Sequence, residues 1–248
     1  MRQRAFYVVL ALLVYGLFLL AIAPVRIALP YLTRDLPASL TIADARGSIW
    51  SGRVALLAHT ATGTETLSRV RFSFSILSIF HGELGYGMLF SGPLRGHMQV
   101  AVGSDSADLS DIDLVAQAAT LAALVPAAQD FGPSGILHLV AAHILWGRRL
   151  AGRGLLTWTR AALISAPVSP LGSYKASFIL RQGAVRYSVR TLSGRLRVGG
   201  RGGYVVDTGI LSFVGTVLGQ GLRLGGLIQN IGTPDGHGGR RVSFETPL

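Results

Sequence analysis

The chain has 248 residues, half of them apolar, a formal charge of +11 and no cysteine. That length supports one sizeable folded domain or two small ones. The missing cysteine excludes disulfides, thiol catalysis and cysteine-based metal sites, while leaving an oxidising compartment open.

Ala5 to Ala23 is an uncharged, mostly apolar run of nineteen residues directly behind Arg2 and Arg4. As a helix it reaches about 28 Å, close to the ~30 Å hydrocarbon core of a bilayer. The basic flank keeps Met1 to Arg4 in the cytoplasm. A cleaved signal is the rival reading, because Ala21-Ile22-Ala23 resembles a small-residue cleavage site. Against it, the run exceeds the about 7–15 apolar residues of a signal core, and Pro24 would sit just after the cut. The expectation is an uncleaved single-pass anchor: residues 1–30 form a cytoplasmic tip and a transmembrane helix over about 5–23, and residues 31–248 lie beyond the membrane. Arg26 can snorkel to the interface without breaking the span.

After the run come 21 of the 23 basic residues and all 12 acidic ones, a net +9. Nucleic acid is discounted as a partner, since the basic residues are spread singly and not clustered on one element with stacking aromatics. Twenty-two of the 23 are arginine; the exception is Lys175.

Short stretches of period-two alternation follow. Val70, Phe72, Phe74 and Ile76 alternate with Arg71, Ser73 and Ser75; Leu94, Met98, Val100 and Val102 alternate with Arg95, His97 and Gln99. Ser110 to Gln129 reads as a helix, Ala/Leu-rich and apolar at helical spacing, with Ser110 and Asp113 as a variant capping box. Further alternation covers Tyr174 to Arg181, Val185 to Arg190 and Arg195 to Val198. Gly199-Gly200-Arg201-Gly202-Gly203 reads as a flexible hairpin turn, Leu222 to Ile231 as a short helix, Thr233 to Gly236 as a turn and Arg241 to Thr246 as a closing strand.

A period of two places each apolar set on one face of a strand, with arginine and serine on the other. That pattern predicts a mainly β fold, a curved antiparallel sheet with one wet face. An echo of Gly47-Ser48-Ile49-Trp50-Ser51-Gly52-Arg53 in His143-Ile144-Leu145-Trp146-Gly147-Arg148 suggests two related halves, 31–130 and 131–248.

The sequence contains no GxxxxGK[ST], HExxH or GxSxG signature. His138 and His143, five apart, fall on opposite faces of a strand and make a poor metal pair. His59, His81, His97 and His237 read as surface or turn residues. Asp105, Asp108, Asp111 and Asp113 form the acidic cluster; their spacing does not match an EF-hand loop, and they read as favouring the positive end of the following helix. Trp50, Trp146 and Trp158 read as sheet core or turn plugs.

Three ordered passages carry a family resemblance. They are Leu36-Pro37-Ala38-Ser39-Leu40 with Ala45-Arg46-Gly47-Ser48-Ile49-Trp50-Ser51-Gly52, then Ser169-Pro170-Leu171-Gly172-Ser173-Tyr174, then Ile231-Gly232-Thr233-Pro234-Asp235-Gly236. Their order behind a single amino-terminal anchor resembles protein N of the type II secretion system. One departure is Phe72, where members often carry tryptophan.

The resemblance implies a bitopic protein of the bacterial inner membrane, with a periplasmic β-rich domain that assists export of folded proteins across the outer membrane. The implied partners are other type II secretion subunits of the inner-membrane platform and inner-membrane lipid. No catalytic residue, metal, cofactor, nucleic acid or small-molecule substrate is implied. Leu36, Pro37, Gly47, Trp50, Gly52, Ser169, Pro170, Leu171, Gly172, Tyr174, Pro234, Asp235 and Gly236 carry the motif as structural positions. An AsmA-like periplasmic lipid-binding or lipid-transfer protein is the alternative, with the oily sheet face holding lipid.

Overall fold

The computed structural model describes residues 23–27, 39–60, 63–75, 78, 84–103, 106–124, 126–147, 150–164, 166, 168–206, 208–219, 232–236 and 238–247. Residues 5–22 of the expected anchor, Leu36, Pro37 and the expected helix over 222–231 lie outside them. Among the described residues, no helix is long and apolar enough to cross a membrane.

After a 3₁₀ turn at Val25–Ile27 come β1 (Leu40–Gly47), β2 (Ser51–Thr60), β3 (Gly63–Ser75), β4 (Leu84–Ser91), β5 (Leu94–Val102) and β6 (Ser106–Gln117). Two short helices, α1 (Ala118–Ala122) and α2 (Pro126–Gln129), precede β7 (Ser134–Gly147), β8 (Ala151–Ala162), β9 (Gly172–Arg181), β10 (Ala184–Gly194), β11 (Leu196–Val205) and β12 (Ile210–Gly219). The two-residue β13 (Thr233–Pro234) and β14 (Arg240–Pro247) finish the described chain. All fourteen strands form one antiparallel sheet in the order β1 to β12, then β14 and β13. Each strand through β12 therefore pairs with its neighbours in sequence, several of them through tight turns such as Gln182-Gly183, whose φ angles of 48° and 75° suit a two-residue hairpin loop.

The expected alternation sets the two faces. In β9, Tyr174, Ala176, Phe178 and Leu180 point to the apolar side, and Lys175, Ser177, Ile179 and Arg181 to the other. The core of the apolar face is Ile112, Ala141 and Ile144, with Met98, Leu109, Leu114, Leu139, Phe178 and Leu180 packed against it. Two bulges at one level shape this region. On β6, the register against β5 shifts between the His97–Asp113 and Gln99–Ser110 pairs, and Asp111 takes a positive φ of 50°. On β7, the register against β8 shifts between Val140 and His143. Each bulge inserts one residue, so Leu109 and Ile112, and likewise Ala141 and Ile144, share a face at a step of three.

Glycines admit aromatic rings on the apolar face. A Cβ at Gly52 would meet Phe72 Cζ at 2.8 Å, and one at Gly200 would meet Phe213 Cζ at 2.6 Å. Gly154 on β8 lets the Phe178 ring of β9 lean across to Ala141 of β7. Edge-to-face pairs extend this packing on the amino-terminal strands: Trp50 with Phe74 at 4.8 Å between ring centroids, and Phe74 with Tyr86 at 5.3 Å.

Three expectations are corrected. Residues 110–117 belong to β6, not to a helix; Ser110 and Asp113 sit in the ladder opposite His143 and Val140, and α1 begins only at Ala118 without a side-chain cap. Gly199 to Gly203 is the middle of β11, not a turn; Gly200 and Gly202 lie beneath the Phe213 and Tyr187 rings from β12 and β10. Trp146 is 60 % exposed at the end of β7 and plugs nothing.

Candidate functional site

The polar face of the sheet segregates charge. Asp108, Asp111 and Asp113 on β6 lie beside three histidines from the flanking strands: His143 Nδ1 is 2.9 Å from Asp108 Oδ1, His138 Nε2 is 2.9 Å from Asp113 Oδ1, and His97 Nε2 is 3.4 Å from Asp111 Oδ2. The aspartates therefore face histidines across the ladder and do not serve a helix terminus. The bulge at Ala141-Ala142 also puts His138 and His143 on the same face, where an unbroken strand would separate them. His138–Asp113 has hydrogen-bond geometry, whereas buried Asp108 Oδ1 has His143 only as a close charge contact. Among the described residues, no cluster of three histidine or acidic side chains is arranged to hold a metal. His59, on β2, is exposed and sits between Thr41 and Thr64 at 2.6 and 3.0 Å, as expected of a surface residue.

From Phe131 to Val206 the sequence contains no acidic residue. This interval supplies β7 to β11, whose polar face carries Arg153, Lys175, Arg181, Arg186, Arg190, Arg197 and Arg201. An open groove of about 610 Å³ crosses β7 to β10 here. Val140, Leu155 and Ile179 give it an apolar floor, with exposures of 39, 37 and 52 %. Arg153 and Arg186 stand on either side of Ile179, each directly opposite it in register. The groove thus offers an apolar surface between two cations, suited to an acidic partner with apolar side chains.

The passages singled out in the sequence occupy two corners of the sheet and its far edge. At the first corner, Gly47, with a φ of 105°, leads into the β1–β2 turn. There Ser48 Oγ accepts from the backbone N–H groups of Trp50 and Ser51, at 3.2 and 3.3 Å, and Gly52 lies beneath Phe72. At the second, Ser169-Pro170 is a cis peptide, and Leu171, 4 % exposed, ties three segments: its N–H donates to Ala161 O, and its carbonyl accepts from Arg195 and Leu196. Gly172 packs against Gly194, where a side chain would strike backbone. Tyr174 is buried, packs against Trp158 and donates its hydroxyl to Leu196 O at 3.0 Å. That burial pushes its phenol pKa up to about 12. At the far edge, Pro234 pairs with Arg240, Asp235 Oδ1 accepts from Gly239 N at 2.9 Å, and Gly236 has a φ of 83°.

Sequence reasoning did not find the groove, because its floor and its arginines come from four strands and meet only through their register. The signal available was the acid-free stretch from 131 to 206.

Residues 38–243 match the model of the family described as type II secretion system (T2SS), protein N. That stretch runs from just before β1 into β14 and is most of the chain, which therefore belongs to this family. No curated protein and no solved structure matches the chain.

Proposed function

We propose that this chain is a non-enzymatic inner-membrane component of the type II secretion system that assists export of folded proteins across the outer membrane. In this reading the run from Ala5 to Ala23 anchors it, Met1 to Arg4 face the cytoplasm, and residues 31–248 stand in the periplasm. The sheet then works by contact with other subunits of the inner-membrane platform, and the Arg153–Arg186 groove is the surface we assign to such a contact. The observation that carries the reading is the family match across 38–243.

Three experiments test it. Deleting the gene is expected to reduce secretion of folded exoproteins. Alkaline phosphatase fused after Leu248 is expected to be active; a stable but inactive fusion overturns the topology. A charge reversal, Arg153→Glu with Arg186→Glu, is expected to lower co-purification of platform subunits while leaving the fold intact.

A second reading, an AsmA-like lipid-binding or lipid-transfer protein, is favoured by one feature. Among the described residues, the apolar face of the sheet is lined by half-buried side chains such as Leu156, Trp158, Phe178 and Val189, and no second sheet lies over it. Normal secretion with a leaky outer membrane in the deletion strain would favour this reading.

A further inference from the structure

Arg46, Arg53 and Arg71 stand directly opposite one another on β1, β2 and β3. Adjacent strands lie about 4.8 Å apart, so three guanidinium groups rise from one row spanning about 10 Å. All three side chains are exposed, and none has an ion-pair partner among the described residues. Like charges directly opposed across a ladder destabilise a sheet. The row therefore does not serve the fold. Two shallow grooves open against it, of about 340 and 430 Å³, the first reaching Arg69 as well. Among the described residues, Asp44 is the single acid lining either one.

The position of the row identifies its anion. Arg46 and Arg53 are the last pair bearing side chains before the β1–β2 turn. That turn is tied to the end of the apolar run: Ile49 N donates to Ala23 O at 2.9 Å, and Pro24 bridges to Ser48. From Ile49 back to Arg46 is three residues, at most about 10 Å of extended chain. Ile27, 63 % exposed, and the half-buried Trp50 lie at the same end. Tryptophan with arginine is the pairing that settles at the headgroup layer of a bilayer, and the arginine fork matches phosphate oxygens two at a time.

We propose that the Arg46–Arg53–Arg71 row binds the phosphates of anionic phospholipid headgroups, seating the β1–β3 end of the sheet on the membrane from which the chain emerges. The proposal rests on reading Ala5 to Ala23 as a membrane anchor.

The test uses the full chain reconstituted in nanodiscs of phosphatidylcholine mixed with phosphatidylglycerol. Lipids retained after gentle detergent release are counted by native mass spectrometry. The native protein is expected to retain phosphatidylglycerol with a several-fold enrichment that falls to parity in Arg46→Gln/Arg53→Gln/Arg71→Gln. The triple variant is expected to keep or raise its Tm, because repulsion has been removed. An Arg190→Gln/Arg201→Gln control on β10 and β11 is expected to keep the enrichment. An enrichment unchanged in the triple variant, or lost equally in the control, overturns the proposal. So does protection of the three arginines from phenylglyoxal by inorganic phosphate but not by phosphatidylglycerol nanodiscs, which would assign the row to a soluble anion. Alkaline carbonate separates the two readings. A chain that resists extraction but shows no difference between native and triple variant loses the headgroup site and keeps the anchor. A chain that carbonate releases loses the anchor and the proposal with it.

Discussion

His138 Nε2 lies 2.9 Å from Asp113 Oδ1 across the β6–β7 ladder, joining residues 25 apart in sequence. The two are diagonal neighbours on the polar face, since His138 is directly opposite Val115 and Asp113 directly opposite Val140. Both side chains are over 40 % exposed, and exposed ion pairs contribute about 0–1 kcal/mol. A double-mutant cycle with His138→Ala and Asp113→Ala, read by denaturant melts, should give a coupling in that range. A coupling above about 2 kcal/mol would mean that the pair behaves as a buried one.

Gly154 carries a sharper expectation. A methyl there would collide with the Phe178 ring and approach the Ala141 Cβ at 3.0 Å. Gly154→Ala should therefore cost about 1–3 kcal/mol through overpacking, visible as a lowered Tm. The paired change Gly154→Ala/Phe178→Leu should recover part of that loss. No recovery would show that the backbone, not the ring, resents the methyl.

Ser68 is fully buried on β3, with its Oγ donating to Leu94 O at 2.9 Å and reaching Ser91 O at 3.3 Å. It pins β3 to the turn between β4 and β5. Ser68→Ala leaves those carbonyls short of a donor and should cost about 1–3 kcal/mol. A melt indistinguishable from that of the native chain would refute the assigned role.

Tyr174 predicts an alkaline limit. Its phenol is raised from the ordinary value of 10.0 to about 12, so the folded state holds the proton more tightly than the unfolded chain. The resulting stabilisation is complete below pH 10 and is lost as pH rises from 10 towards 12. Tyr174→Phe should flatten that part of the stability profile and, at neutral pH, cost about 1 kcal/mol for the hydrogen bond to Leu196. An ultraviolet titration showing every tyrosine ionised by pH 10.5 would contradict it.

Much of the fold was legible because most strands obey a strict period of two. Val70 to Phe74, Leu94 to Val100 and Tyr174 to Leu180 each announce an oily and a wet face. The misreadings share a physical origin. Ile112, Val115 and Ala119 fall at helical spacing, yet Ile112 and Val115 lie on opposite faces of β6, which carries a one-residue bulge at Asp111. That spacing imitates a helix, and the Ala/Leu composition reinforced it. The same one-residue insertion in β7 brings His138 and His143 to one face. The glycines of β11 resembled a turn because the rings that cover Gly200 and Gly202 belong to neighbouring strands. The groove arginines and the arginine row were illegible for a related reason: register is a property of pairs of strands, and no single strand records it.

The strict succession of strands from β1 to β12 has a consequence for how such a sheet is made. Each strand through β12 meets its partner in the next segment of chain, most of them across a short loop and β6–β7 across α1 and α2, so the contact order is low. A polypeptide threaded through a translocon amino-terminus first could complete each pairing as soon as the next segment emerges, with the finished part templating the new edge. The turn tied to Ala23 would then be the first fixed point, and the sheet would lengthen from it one strand at a time, with no need to hold distant segments apart while the rest of the chain arrives.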